Sequence, residues 1–369
     1  MNPSPDLAVF LPSLAGGGAE GVAIHIAREF SNRGFSVDLV VGSAEGPRMG
    51  DVDPNLRVVD LGCKRFRWVL PSLIRYLRRE KPSVMLSFLS QANLVAITAR
   101  LVSGRPGRLV VSERLHLSAA LKTPEVAWFR FLPLFMKWLY PRADGLIAVS
   151  HGVAEDLSQR LRLNRDNIAV IHNPVFVSHL RRLANEEVKH PWVAESDALI
   201  VMGVGRLLPH KDFGTLIEAV SLMDRNCRLV ILGDGPERDF LESLAERLEV
   251  DLLLPGYVQN PYPWMARANV VAVSSRVEGF PNVLVEALAL GTPVVSTDCP
   301  SGPSEILDRD RIGRLVPIGN AEAMSIALAE TLARPPDRCL LIEHSAQWDP
   351  EAIMDRYAEV VFGTGNEYA

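Results

Sequence analysis

The chain has 369 residues, 48% of them apolar and 22% charged, with a net charge of -5. That length suggests two domains, and the apolar share is enough for two packed cores. Its four cysteines, Cys63, Cys227, Cys299 and Cys339, make no Cys-x-x-Cys pair and no zinc spacing, no apolar run reaches the ~18 residues of a transmembrane helix, and no nucleic-acid-binding motif of the usual types is present.

No basic-then-apolar signal segment opens the sequence, so a reducing, cytoplasmic location is the expectation. The net charge hides an asymmetry. Residues 1–180 hold 22 Lys+Arg against 15 Asp+Glu, and the remainder holds 17 against 29. The cations are densest around Lys64, Arg65, Arg67, Arg75, Arg78, Arg79 and Lys81. Such a bias attracts an anionic membrane surface or a phosphorylated acceptor; a solvated basic face is the alternative.

The first half opens with a strand, Leu7 to Leu11, then a glycine loop, Gly16-Gly17-Gly18. A helix follows with Ala19, Val22, Ala23, Ile26, Ala27 and Phe30 on one face. Strands are expected at Val37 to Val41, Val84 to Phe88, Leu109 to Val111, Gly145 to Val149 and Ile168 to Ile171, the alternation of a doubly wound sheet. The glycine loop lets backbone approach a ligand closely, with a tight turn as the alternative. The stretch Trp128, Phe129, Phe131, Leu132, Phe135, Trp138, Leu139 and Tyr140, with Arg130, Lys137 and Arg142, reads either as a buried helix or as an interfacial one.

The second half starts the pattern again. Strands are expected at Ala198 to Met202, Arg228 to Leu232, Val270 to Ser275 and Pro293 to Thr297. A polar linker is expected between Val177 and Asp197. Within this half, Glu278-Gly279-Phe280-Pro281-Asn282-Val283-Leu284-Val285-Glu286 follows a buried strand. Glu278 is therefore expected in the loop at the strand's C-terminal end and Glu286 about a turn into the next helix. Ligands of open α/β sheets bind at such ends, and the helix N-terminus near Asn282 and Val283 favours an anion. The arrangement suits a phosphorylated, hydroxyl-rich ligand. Asp51-Val52-Asp53 and Asp308-Arg309-Asp310 fit an Asp-x-Asp string, but neither follows an apolar strand, so neither a metal nor any other cofactor is expected.

Several motifs occur in a fixed order: Gly203-Val204-Gly205-Arg206-Leu207 with Lys211, Leu232-Gly233-Asp234-Gly235-Pro236, Pro255-Gly256-Tyr257, the two glutamates, and Ala289-Leu290-Gly291-Thr292-Pro293-Val294-Val295. In that order and spacing they resemble the retaining glycosyltransferases of family 4, which have the GT-B fold. The resemblance implies two Rossmann-like doubly wound α/β domains facing a cleft. An acceptor-binding domain is expected over 1–180, a nucleotide-sugar-binding domain over 196–345, and a helix over 346–369 crossing back onto the first.

It also implies roles. Arg206 and Lys211 would contact the donor diphosphate, Glu278 would lie beside the transferred sugar, and Glu286 would accept hydrogen bonds from the ribose hydroxyls. Gly205, Tyr257, Val258, Gly279, Phe280, Pro281, Asn282 and Val283 would border the donor, and Gly16, Gly17 and Gly18 would face donor phosphate and acceptor. Many members place a histidine near the transferred sugar, in the loop after the strand at 109–111. Here Glu113 and Arg114 occupy the corresponding position, and His116 is the histidine of that loop; His151, His172 and His210 read as structural.

The expected activity is metal-independent, retaining transfer of a sugar from a nucleotide-diphosphate sugar, a UDP-sugar first, to an acceptor hydroxyl. The segment from Asp298 to Ile306 resembles bacterial members that build lipid-linked saccharides, which implies a glycan or polyprenyl-diphosphate-linked acceptor. With the basic half and the aromatic stretch, that places the chain peripherally at the inner face of the plasma membrane. The alternatives are a nucleotide-sugar epimerase of the same fold and a non-catalytic nucleotide-sugar-binding protein.

Overall fold

The computed structural model describes residues 4–363, apart from 15–16, 64–67, 105–106, 123–129, 195–197 and 225–226. The chain forms two compact units, Met1–Pro174 with Glu351–Ala369, and Val175–Pro350.

The first unit holds seven parallel strands: β1 (Leu7–Leu11), β2 (Val37–Val41), β3 (Arg57–Asp60), β4 (Val84–Phe88), β5 (Arg108–Glu113), β6 (Gly145–Ala148) and β7 (Ile168–Val170). Their order in the sheet is β3-β2-β1-β4-β5-β6-β7. Leu7 sits opposite both Val37 and Val84, so β1 is flanked by the strands that leave in opposite directions. Every residue of β1, β2 and β4 is buried, because helices cover both faces of a parallel sheet.

The second unit holds β8 (Leu199–Val204), β9 (Cys227–Leu232), β10 (Leu252–Gly256), β11 (Val270–Val273), β12 (Val294–Thr297) and β13 (Arg314–Val316), in the order β10-β9-β8-β11-β12-β13. Both units are doubly wound α/β, as expected. Three strands have no counterpart in the sequence reading. β3, β10 and β13 all lie at sheet edges, where half-exposed residues break the apolar run.

The segment between the sheets differs in detail from the expectation. The stretch expected as a linker is helical over Val177–Ala184 and Pro191–Ala194 and belongs to the second unit. Helix Val177–Ala184 buries Leu180, and the carbonyls of Leu183 and Ala184 accept hydrogen bonds from Asn260 and Arg267. Helix Pro350–Phe362 packs in the first unit from Glu351 onward. Arg33 pairs with Asp355 at 2.6 Å, and Phe362 stacks on Phe35 with ring centroids 4.6 Å apart.

Candidate active site

In the second unit the chain runs from β8 outward to β9 and β10, then returns to place β11, β12 and β13 on the other side. The loops after β8 and β11 thus leave neighbouring strand ends and diverge, which opens a crevice at the carboxyl edge of the sheet. The β8 loop carries Gly205, Arg206 and Lys211; the β11 loop carries Glu278.

These two loops are bonded together. Lys211 Nζ lies 2.5 Å from Glu278 Oε1, and Ser275 Oγ donates to the same oxygen at 2.6 Å. Ser274 Oγ donates to the Lys211 carbonyl at 2.8 Å, the Arg276 amide donates to the His210 carbonyl at 2.8 Å, and Arg276 pairs with Asp212 at 2.8 Å. The Lys211 and Glu278 side chains are 23% and 12% exposed, so their attraction is screened less than that of a surface pair. Arg206 is exposed and forms no ion pair with any described residue.

Backbone packing fixes the rest of the rim. Gly233 has φ +146, and a Cβ there would come 1.9 Å from the Gly205 carbonyl oxygen, so the β8 and β9 loops touch along their main chains. The Gly233 amide in turn donates to the Gly256 carbonyl, which holds the start of the Tyr257-Val258 loop; Tyr257 is 48% exposed. Gly302, at φ +92, leaves room for Pro281, whose Cδ would lie 2.5 Å from an added Cβ. Ser301 Oγ donates to the Glu278 carbonyl at 2.7 Å, and buried Trp348 meets Phe280 edge-on at 6.0 Å. The Glu278–Pro281 loop is therefore clamped on both sides.

Helix Asn282–Leu290 starts from Pro281, which supplies no side-chain cap, and Glu286 lies partly buried in its second turn. A helix start of this kind, four residues after Glu278, draws negative charge toward Asn282 and Val283. Buried Cys299 adds no charge at neutral pH: burial, and then the nearby Glu278 carboxylate, push its thiol up to about 12.

The first unit repeats the topology, with its divergence between β1 and β4. The loop after β1 is the glycine loop; Gly16 lies outside the described residues. The Gly17 carbonyl accepts from Arg48 Nε at 3.0 Å, and Gly18 begins helix Gly18–Asn32. Arg48 pairs with Asp51 at 2.9 Å, and Asp53 accepts from the Asn55 amide. In the other Asp-x-Asp string, Asp308 pairs with Arg311 at 3.1 Å and Asp310 accepts from the Leu315 amide at 2.7 Å.

After β5, Glu113 and Arg114 turn inward. The Glu113 carboxylate accepts from Ser90, Tyr140 and the Arg114 amide, and burial raises its pKa. Arg114 bonds Asn173 and the Tyr357 hydroxyl and lies over the Phe88 ring. His116 caps the turn Leu117–Ala120: its Nδ1 accepts from the Ala119 amide at 3.2 Å and lies 3.6 Å from Asp156.

The second unit thus brings Lys211 and Glu278 into direct contact and sets Gly279, Phe280, Pro281, Asn282, Val283 and Glu286 on the loop and helix that follow. Gly17, Gly18 and His116 belong to the first unit. Ser275, Arg276, Ser301 and Trp348 were not singled out from the sequence. The contacts of Arg276, Ser301 and Trp348 are made across the fold, where no local spacing marks them; Ser275 reaches Glu278 from three residues before it.

Residues 16–179 match the model of glycosyltransferase family 4, and residues 185–349 match that of glycosyl transferases group 1. The chain is 31% identical over 337 residues to an N-acetylgalactosamine-N,N'-diacetylbacillosaminyl-diphospho-undecaprenol 4-alpha-N-acetylgalactosaminyltransferase of Campylobacter jejuni, covering 86% of this chain and 87% of that one. The chain belongs to the family 4 glycosyltransferases. This glycosyltransferase is also 30% identical over 356 residues to the lipopolysaccharide core biosynthesis glycosyltransferase LpsE of Rhizobium meliloti, covering 94% and 96% of the two chains. Among solved structures, Anabaena HepE in complex with UDP-glucose superimposes with a TM-score of 0.80 at 19% identity, over 96% of this glycosyltransferase and 98% of HepE. The fold is GT-B.

Proposed function

We propose that this glycosyltransferase moves the sugar of a UDP-sugar to a hydroxyl of a polyprenyl-diphosphate-linked saccharide, with retention at the anomeric carbon and without a metal. The observation that carries the reading is the Lys211–Glu278 pair at the point where strand order reverses, on the loop that leads into helix Asn282–Leu290. The cation and the helix N-terminus match a diphosphate that becomes more negative, and the carboxylate matches a sugar carbon that becomes positive.

Arg206 and Lys211 take the diphosphate, aided by the helix start at Asn282 and Val283. Because these cations are side chains, leaving-group charge is offset without a bound ion. Glu286 accepts from the ribose hydroxyls, and Gly205, Tyr257 and Val258 border the nucleotide. The diphosphate draws Lys211 off Glu278, and Glu278 then faces the sugar, where its charge favours the developing positive carbon. The departing phosphate takes the acceptor's proton on the face it leaves, so no base is needed on the opposite face. Gly279, Phe280 and Pro281 line the sugar. In the first unit, His116 accepts the Ala119 amide at Nδ1, which leaves Nε2 to donate to a substrate hydroxyl. We assign Gly16, Gly17 and Gly18 to close backbone approach to the acceptor.

The donor and acceptor classes draw support from the relatives. HepE was solved with UDP-glucose, and the Campylobacter relative's name specifies a diphospho-undecaprenol acceptor. No helix among the described residues is long and apolar enough to cross a membrane, and we place the enzyme at the inner membrane face, where a lipid-linked acceptor lies. The test is product stereochemistry. From an α-linked donor, NMR of the product should give an α anomeric coupling; a β linkage would overturn the retaining mechanism and the role given to Glu278.

A further inference from the structure

Helix Leu132–Leu139, between β5 and β6, has two apolar faces. Leu132 and Met136 are buried, as is Tyr140 just beyond. Phe131, Leu134, Phe135 and Trp138 recur at helical spacing on the opposite side and are 61%, 56%, 53% and 65% exposed. Trp128 and Phe129 lie outside the described residues. A stripe of four large apolar side chains in water is more than the scattered exposure of an ordinary surface.

The charge around the stripe says what covers it. Helix Leu132–Leu139 packs against helix Ser90–Val102, which packs against helix Val69–Glu80. The three connect β3 to β4, β4 to β5 and β5 to β6, all crossings in one direction along the sheet, so they form one layer with one outward surface. Arg75, Arg78, Arg79, Arg130, Lys137 and Arg142 are exposed on or beside these helices. Within residues 69–80, 90–102 and 130–142 the one carboxylate is Glu80, whose side chain is 14% exposed and paired with Arg57 and Arg79. Pro71, Ile74, Arg75, Arg78 and Arg79 line a surface depression. Two copies of so cationic a face repel each other in a twofold dimer. Aromatic and aliphatic groups on a layer whose exposed charges are cations in excess match an anionic lipid interface, which offers both an apolar edge and a negative surface.

We propose that the outer surface of helices Val69–Glu80, Ser90–Val102 and Leu132–Leu139 docks on an anionic membrane, with Phe131, Leu134, Phe135 and Trp138 entering the interface and the surrounding cations meeting lipid phosphates. This deepens the proposed function by naming the surface that brings the enzyme to a lipid-linked acceptor, and it rests on that reading only for its purpose.

The experiment is co-sedimentation of the full chain with phosphatidylcholine vesicles, with and without phosphatidylglycerol. Wild type should bind chiefly the phosphatidylglycerol vesicles. The Leu134→Ser, Phe135→Ser, Trp138→Ser variant should bind them roughly tenfold more weakly or worse. The Arg75→Gln, Arg78→Gln, Arg79→Gln variant should lose most of the phosphatidylglycerol preference. Both should keep wild-type UDP affinity by calorimetry, which shows that they are folded. Wild type that ignores phosphatidylglycerol, or a serine variant that binds as wild type does, overturns the proposal. So does a wild-type dimer in sedimentation that the serine variant breaks. Vesicle binding together with failure to glycosylate any polyprenyl-diphosphate saccharide would remove the acceptor assignment and leave the docking surface standing.

Discussion

Replacing Lys211 by alanine should do two things to the donor site, and the structure separates them. It removes the proposed charge-assisted contact to the diphosphate, worth about 1.5–3 kcal/mol, or roughly 10–150-fold in UDP affinity. It also strips Glu278 of the cation 2.5 Å away, leaving Ser275 as the remaining side-chain donor on that carboxylate. An uncompensated negative charge then borders the incoming diphosphate. Adding Glu278→Gln removes that charge, so the double variant should recover part of the lost affinity. Glu278→Gln alone keeps an oxygen that can accept from both Lys211 and Ser275, so UDP affinity should stay within about 0.5 kcal/mol of wild type while kcat falls. The coupling across the cycle should be about 0.5–3 kcal/mol. Calorimetric titration of UDP into the four proteins measures it, with Glu286→Ala as a comparison that should weaken UDP through the ribose without coupling to Lys211. Strictly additive effects of Lys211→Ala and Glu278→Gln, or unchanged UDP affinity in Lys211→Ala, would refute a diphosphate that competes with Glu278 for this lysine.

Turnover should survive excess chelator if Arg206 and Lys211 carry, as proposed, the charge that a metal would otherwise supply; loss of activity that Mg²⁺ or Mn²⁺ restores would contradict this. Cys299 should resist iodoacetamide in the native enzyme while exposed Cys339 reacts, as peptide mapping would record. The raised thiol pKa also has a stability sign. Folding keeps a proton on Cys299 that the unfolded chain releases above its ordinary value of 9.0, so stability should fall from there toward about pH 12. Cys299→Ala, followed by denaturant titration across that range, should flatten the decline.

The central strands were legible because burial on both faces leaves one chemical solution, a continuous apolar run such as Val270 to Val273. Three of the four edge strands were not: Arg57–Asp60 has exposed ends and a half-buried middle, which a loop shows equally well. The residues proposed for the site, Arg206, Lys211, Glu278 and Glu286, stood out in the sequence as a spaced set on strand ends and a helix. Their supports were not, because Ser301 reaches the Glu278 carbonyl across 23 residues and Trp348 reaches Phe280 from a different element. Composition left the aromatic helix open between core and interface. The structure gives it both, Leu132 and Met136 inward and Phe135 and Trp138 outward, a division visible only once the neighbouring helices are in place.

Helix Pro350–Phe362 gives the first unit a late-arriving part. Tyr357 supplies a hydroxyl to Arg114, Phe362 stacks on Phe35, and the Val360 carbonyl accepts from Arg108. On the ribosome, the first unit therefore waits, with this seam open, until the helix beyond residue 350 has been made. The second unit, continuous from Val175 to Pro350, has all its strands in hand before then. A nascent chain stopped after residue 350 should show a protease-resistant second unit and a first unit cleaved at its unsealed edge, so the half that starts first is the half that finishes last.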